Sequence, residues 1–104
     1  MNNKIIKQIN SIINEKPKIC IVLGSGLDGL VASIANKKMI AYSKIDGFIK
    51  TSVPGHVGQF IYGNINGIPI LCAQGRFHYY EGHSFKTVGS IIEIFNYYKP
   101  YNII

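Results

Sequence analysis

Two short apolar runs, residues 19–23 and 68–73, constrain the fold of this chain more than any other feature. Neither contains a polar side chain, and runs of this length and kind predict strands that are covered on both faces, as in parallel sheets. Each run is followed at once by a polar segment that contains glycine. Because α/β folds place ligand sites at the carboxyl ends of such strands, we expect a site where these runs end.

The segment after the second run, residues 75–82, has the composition of a binding site. It carries an arginine, a histidine, two tyrosines and a glutamate between two glycines. Arg76 is the only arginine in the chain. A guanidinium can bind a phosphate or carboxylate through two hydrogen bonds, whereas an ammonium group cannot. The choice of arginine at position 76 therefore indicates bidentate binding of an anion.

The segment after the first run, Gly24-Ser25-Gly26, offers backbone N–H groups and a hydroxyl where a helix-compatible stretch, residues 27–35, begins. Such donors favour an anion. The glycine spacing differs from the dinucleotide-binding pattern, and the lysine of a P-loop is missing. A tight strand-to-helix turn without a ligand therefore explains these residues equally well.

The remaining elements follow from periodicity and turn residues. Isoleucines at three- and four-residue spacings predict an N-terminal helix that Pro17 ends. Residues 59–65 and 68–73 flank Asn66-Gly67, the preferred pair for a type I′ turn, which predicts a β-hairpin. Ser84 is the expected N-cap of a helix that ends near Lys99-Pro100. We also expect a strand at 38–43, a turn at 46–47, a loop at 51–58 and a strand from 101 onwards.

Composition narrows the class of protein. A length of 104 residues fits one small domain, and the net charge of +6 comes from scattered lysines. No basic run or aromatic interleaving accompanies them, so we expect no nucleic-acid partner. Both cysteines fall inside apolar runs, which predicts buried free thiols in a reducing compartment. No segment approaches the ~18 apolar residues of a membrane span, and no secretory signal is evident, so we expect a cytoplasmic protein without a membrane partner.

Three segments of the chain resemble, in order and spacing, the motifs of the trimeric class of purine nucleoside phosphorylases. They are Gly24-Ser25-Gly26-Leu27, Val53-Pro54-Gly55-His56-Val57-Gly58 and Gln74-Gly75-Arg76-Phe77-His78-Tyr79-Tyr80-Glu81-Gly82. The related methylthioadenosine phosphorylases are less similar in the last two segments. The resemblance implies an α/β fold in which residues 1–104 form a single partial domain. That domain would be a truncated, N-terminal part of a three-layer fold in which helices flank a mixed central β-sheet.

The same resemblance assigns roles to residues. It implies that Ser25, His56, Arg76 and His78 bind phosphate, that Tyr80 binds the ribose, and that His56 and His78 are the catalytic residues. Without the resemblance, a loop histidine such as His56 is more often a surface residue. The implied reaction is attack of inorganic phosphate, a co-substrate, on the anomeric carbon of a purine nucleoside. No cofactor and no metal are expected.

Family members continue past the strand that begins at Asn102 with a further phosphate-contacting segment, and then with the glutamate and asparagine that recognise the purine. The 104 residues contain none of those positions, so we expect an N-terminal fragment that is inactive alone, and the homotrimer of the family is not expected to carry over unchanged. The alternatives are half of a split phosphorylase completed by a second chain, a methylthioadenosine phosphorylase relative, and a non-catalytic phosphate-binding module.

Overall fold

A computed structural model of the chain describes residues 3–23, 28–48, 58–74 and 84–104. Within these ranges, helix α1 is Asn3–Ile9, α2 is Asp28–Ala32 and α3 is Ser84–Tyr98. The strands are β1, Ile19–Leu23; β2, Ala35–Ala41; β3, Gln59–Ile65; β4, Ile68–Gln74; and β5, Asn102–Ile103. Two short 3₁₀ helices, Asn10–Ile12 and Tyr42–Lys44, follow α1 and β2.

The five strands form one mixed sheet in the order β2-β3-β4-β1-β5. Strand β1 is parallel to both of its neighbours, β4 and β5, whereas β2, β3 and β4 pair in antiparallel fashion. A mixed sheet flanked by helices confirms the predicted α/β class. The two apolar runs form β1 and β4, and both strands contribute side chains to the cores on both faces of the sheet, as predicted. They also pair with each other in parallel.

The β3–β4 hairpin forms at the predicted turn. Asn66 has φ 52° and Gly67 has φ 80°, and a type I′ turn requires positive φ at both positions. Asparagine and glycine tolerate that region at little cost. The turn sets a register that runs from Ile65 opposite Ile68 to Gln59 opposite Gln74.

Helices cover both faces of the sheet. One face packs against side chains of α1, α3 and the 3₁₀ helices, and its most deeply buried members are Ile9, Cys20, Phe60, Leu71, Ile91 and Phe95. The other face packs against α2 and Ile34, and its buried strand residues are Ile21, Leu23, Ile61, Ile70 and Cys72. These two clusters are the two cores of a three-layer arrangement.

Two tyrosine hydroxyls connect distant parts of the first core. Tyr98, near the end of α3, donates a hydrogen bond to Oδ1 of Asn10 over 2.7 Å. Tyr62 on β3 donates to the carbonyl oxygen of Glu15 over 2.8 Å and accepts from its backbone N–H. These three hydrogen bonds attach residues 10–15 to α3 and to the sheet.

Several predicted boundaries were wrong. The N-terminal helix gives way to a 3₁₀ turn that ends at Ile12, well before Pro17. The stretch 27–35 yields only the five residues of α2, and β2 begins at Ala35 instead of 38. The early start is possible because Asn36 adopts φ 56° and the β2–β3 register shifts between Ala35 and Lys38, which accommodates residues that a regular ladder would exclude.

Candidate functional site

The strand ends that adjoin the three predicted motif segments lie side by side in the sheet. Leu23, at the carboxyl end of β1, pairs with Gln74, at the carboxyl end of β4. Gln74 pairs in turn with Gln59, at the amino end of antiparallel β3. Because neighbouring strands lie ~5 Å apart, the points where residues 24–27, 51–57 and 75–82 join the sheet fall within two strand spacings.

The predicted site residues themselves, Ser25, His56, Arg76, His78 and Tyr80, lie outside the described residues. Their roles therefore stay predictions. Three of them are close in sequence to described residues. Leu23 is two positions before Ser25, Gly58 is two positions after His56, and Gln74 is two positions before Arg76.

A hydrogen bond between two glutamine side chains lies at this edge. Nε2 of Gln59 donates to Oε1 of Gln74 over 2.8 Å, and the pair is partly buried. Because side chains alternate along a strand, both glutamines face the same side of the sheet as Leu23, which is the side covered by α2. We did not single out this pair from the sequence. Its signal was present, because a two-residue turn at Asn66-Gly67 puts residues 59 and 74 opposite each other.

Tyr42 joins both ends of the segment that contains His56. Its backbone N–H donates to the carbonyl oxygen of Gly58 over 2.9 Å, and its ring makes an edge contact with Phe48 at a centroid distance of 5.2 Å. Phe48 precedes residues 49–57 and Gly58 follows them. The two ends of that segment therefore meet on one buried ring.

Gly58 has no room for a side chain. A Cβ atom at this position would overlap Cδ2 and Cε2 of the Tyr42 ring. The ring has little freedom to retreat, since it is 6% exposed and also contacts Phe60 at 5.0 Å between centroids. The glycine next to the predicted His56 loop is thus required by packing.

The Tyr42 hydroxyl is buried, and no group of the described residues forms a hydrogen bond with it. Burial raises the pKa of this phenol far above its ordinary value. The described contacts of Tyr42 at this end of the sheet are those of its ring and its backbone N–H.

Both cysteines are buried and free, as predicted. Burial raises the pKa of Cys20 to about 12, with a smaller contribution from Cys72, whose own pKa burial raises to about 11. Because the thiolate is the reactive form, neither thiol is suited to act as a nucleophile at neutral pH.

A cavity of about 170 Å³ lies at the opposite end of the sheet. Its lining includes Lys18, which directly precedes β1, and Lys99 and Tyr101, between α3 and β5. This is the amino end of β1, whereas the motif segments leave from its carboxyl end. The cavity is therefore separate from the candidate site.

Two kinds of feature are absent from the described part of the chain. In residues 3–23, 28–48, 58–74 and 84–104, no group of three His, Cys, Asp or Glu side chains could hold a metal ion. Over the same ranges, no helix has the length and hydropathy needed to cross a membrane.

Comparison with curated proteins identifies relatives over most of the chain. The sequence is 44% identical over 92 residues to purine nucleoside phosphorylase 1 of Geobacillus stearothermophilus, which covers 85% of this chain and 34% of that protein. It is 37% identical to the purine nucleoside phosphorylase of Bos taurus, over 86% of this chain and 31% of that protein. The chain is homologous to part of a purine nucleoside phosphorylase.

Solved structures of purine nucleoside phosphorylases agree with the fold. Isoform 2 of the Schistosoma mansoni enzyme, crystallised with cytosine and ribose-1-phosphate, superposes with a TM-score of 0.83 at 35% identity, over 97% of this chain and 35% of that one. A second Schistosoma mansoni structure, in complex with acetate, gives a TM-score of 0.79 at 37% identity, over 96% and 36%. No family model matches the sequence. The chain spans about a third of the length of the purine nucleoside phosphorylases that it resembles.

Proposed function

We propose that this chain provides the phosphate side of a purine nucleoside phosphorylase site. One observation carries the proposal: the register Leu23–Gln74–Gln59 gathers the joining points of all three motif segments at one edge of the sheet. Two residues of chain reach at most ~7 Å. In sequence, Ser25 is two positions from Leu23, Arg76 is two from Gln74, and His56 is three from Gln59.

The chemistry of these residues fits an anionic co-substrate. In the proposal, Arg76 binds two phosphate oxygens with its guanidinium, while Ser25, His56 and His78 supply further donors. Tyr80 contacts the ribose. Fixed donors orient the attacking phosphate and stabilise charge at the reacting centre, which lowers the barrier through positioning and electrostatics. His56 and His78 are the catalytic residues of the proposal.

The substrates proposed are inorganic phosphate and a purine nucleoside, and no cofactor takes part. This choice rests on the homology and on related structures that contain ribose-1-phosphate, hypoxanthine or inosine. The homotrimer of complete family members is not part of the proposal for these 104 residues. A cytoplasmic location stays a prediction.

The proposal includes inactivity of the 104 residues by themselves. They correspond to about a third of each relative, and the motifs that they resemble are those of the phosphate side. A leaving purine without a general acid loses an effect worth ~10²–10⁴ in rate. We therefore expect phosphate binding without phosphorolysis.

Calorimetric titration of the purified chain with inorganic phosphate tests the binding claim. Arg76→Ala is expected to weaken binding at least tenfold, because hydrogen bonds between charged groups are among the strongest. Lys16→Ala is the matched control, since it removes the same charge at an exposed position beside the opposite cavity. Equal affinity in the parent chain and in Arg76→Ala would overturn the phosphate assignment.

A coupled assay for hypoxanthine release from inosine tests the inactivity claim. The chain alone is expected to give no turnover, and any turnover that Arg76→Ala abolishes would contradict us. Adding the remaining two-thirds of the Geobacillus stearothermophilus enzyme as a separate polypeptide tests the split alternative. Activity only in the mixture would favour that alternative, whereas phosphate binding without activity in the mixture would favour a non-catalytic module.

A further inference from the structure

The tip of the β3–β4 hairpin is accessible to water. Asn66 and Gly67 are both exposed, and Ile68, the first residue of β4, is 40% exposed. A Cβ atom added to Gly67 would have no heavy atom within 4 Å apart from its chain neighbours. The space beside the peptide bond between Asn66 and Gly67 is therefore open.

Two groups that can react with each other are unpaired at this tip. Within the described part of the chain, the side-chain amide of Asn66 forms no hydrogen bond, and neither does the backbone N–H of Gly67. A bond between Cγ of Asn66 and the nitrogen of Gly67 would close a five-membered ring. The nitrogen is a nucleophile once it has lost its proton, and the amide carbon is an electrophile.

Deamidation through this ring needs no reactant other than water. The deprotonated nitrogen of Gly67 attacks Cγ of Asn66, the new C–N bond closes a cyclic imide, and the side-chain nitrogen leaves as ammonia. Water then opens the imide at either of its carbonyl carbons. Cleavage of the Cγ–N bond leaves aspartate. Cleavage at the backbone carbonyl leaves isoaspartate, in which the main chain continues through Cβ and Cγ.

The residue that follows distinguishes Asn66 from the other asparagines. Asn66 is the only asparagine that glycine follows. Asn36 is the matched comparison, because it is also exposed and has φ 56°, but Lys37 follows it. A side chain on the attacking residue obstructs ring closure, and glycine has none. Ring closure also needs rotation of the backbone, which the end of a hairpin permits because it opens locally at low free energy.

We propose that Asn66 is a spontaneous modification site, at which deamidation yields an aspartyl and an isoaspartyl form of the chain. This inference does not depend on the proposed function. Asp-Gly suits a type I′ turn as Asn-Gly does, so the aspartyl form keeps the pairing of Ile65 with Ile68. Isoaspartate adds a carbon atom to the main chain, so a two-residue turn no longer fits this pair.

Mass spectrometry of tryptic peptides, after incubation of the purified chain at 37 °C and pH 8, tests the modification. Peptide 51–76 contains Asn66 and no aspartate, and peptide 19–37 contains Asn36. We expect peptide 51–76 to gain about 1 Da, because a hydroxyl replaces an NH₂ group, and peptide 19–37 to keep its mass. No gain in peptide 51–76, or an equally fast gain at Asn36, would overturn the proposal.

Asn66→Gly assigns the gain to this position. Gly-Gly also suits a type I′ turn, so the hairpin is kept, but the variant has no amide to lose at residue 66. Peptide 51–76 contains one other asparagine, Asn64, which Ile65 follows. We expect no mass gain in the variant. A gain that persists would place the reaction at Asn64 and would refute the assignment.

The Asn66→Asp variant separates the effect of charge from the effect of the altered main chain. It has the same charge and composition as the deamidated product, which ion-exchange chromatography isolates from the parent chain. We expect the Asn66→Asp variant to melt with the parent and the deamidated fraction to melt at a lower temperature, with enzymatic methylation of isoaspartyl carboxyl groups only in that fraction. Equal melting of the fraction and the variant, or no methylation of the fraction, would contradict the isoaspartyl form.

Discussion

Strands β4 and β5 are both parallel neighbours of β1, yet they are buried very differently. Strand β4 pairs with β1 at five positions and is enclosed on its other side by β3. Strand β5 pairs with β1 at two positions and is an outer strand of the sheet, with no neighbouring strand on its other side among the described residues. Ile70 on β4 is 2% exposed and Ile103 on β5 is 37% exposed. The segments that contain the predicted site residues therefore adjoin β1, β3 and β4, each of which is paired with a neighbouring strand on both sides.

The largest expected effect is a difference between matched isoleucines on these two strands. Ile70→Ala removes fully buried atoms and leaves a cavity, so we expect the free energy of unfolding to fall by ~2–5 kcal/mol. Ile103→Ala is expected to cost less than ~1 kcal/mol, because its side chain already contacts solvent. Urea denaturation followed by circular dichroism measures both. Equal losses would mean that β5 belongs to the core as fully as β4.

A second prediction concerns the packing beside the interior anchors. Gly58→Ala forces a methyl group into the Tyr42 ring and is expected to cost ~1–3 kcal/mol. Gly29→Ala is the control, because the space around Gly29 in α2 is open, and alanine in a helix is expected to stabilise by up to ~1 kcal/mol. The same denaturation assay compares them. A Gly58→Ala variant as stable as the parent chain would show that the ring can move aside.

The third prediction uses the buried thiols of β1 and β4. Burial raises the pKa of Cys20 to about 12 and that of Cys72 to about 11, whereas unfolded thiols ionise near pH ~8.5. Their contribution to stability is therefore fully present below that pH and declines as the pH rises towards 11. At pH 10 the loss is on the order of 2 kcal/mol per thiol.

Melting temperatures at pH 8 and pH 10 test this difference. The decrease between the two pH values is expected to be smaller in the double variant Cys20→Ala/Cys72→Ala than in the parent chain. The buried tyrosines are common to both proteins and cancel in the comparison. Identical decreases would show that the thiols ionise equally well in the folded and unfolded chains.

The smallest expected effect separates two adjacent tyrosines at the end of α3. Tyr98→Phe loses the hydrogen bond to Asn10 and is expected to cost ~1 kcal/mol. Tyr97→Phe is the control, since Tyr97 is 51% exposed, and should change stability by less than ~0.5 kcal/mol. Equal values would mean that the Asn10 bond contributes nothing net to the attachment of α3.

Elements that depend on interactions between residues close in sequence were predicted correctly, whereas those that depend on distant residues were not. The β3–β4 hairpin was predicted well because Asn66-Gly67 fixes the turn locally, and α3 because its apolar residues recur at helical spacings over four turns. The start of β2 was predicted wrongly, since it depends on the φ of Asn36 and on pairing with Asn64. Neither signal is visible in the local apolar pattern.

For the candidate site, the sequence supplied the residue types and their motifs, and these already led to the phosphorylase family. It did not reveal that Leu23 stands beside Gln74. The β1–β4 pairing joins residues about fifty positions apart. Such pairing depends on how two cores pack around the sheet, which no local pattern encodes.

The sequence by itself therefore determined the identities of the elements, the hairpin register and the family. Local dihedral preferences and hydrophobic periodicity suffice for these properties. The tertiary structure alone decided the strand order β2-β3-β4-β1-β5, the pairing of Leu23 with Gln74, and the contacts of Tyr42. Those features arise from long-range packing, because strands far apart in the chain become neighbours only when their apolar faces are buried together.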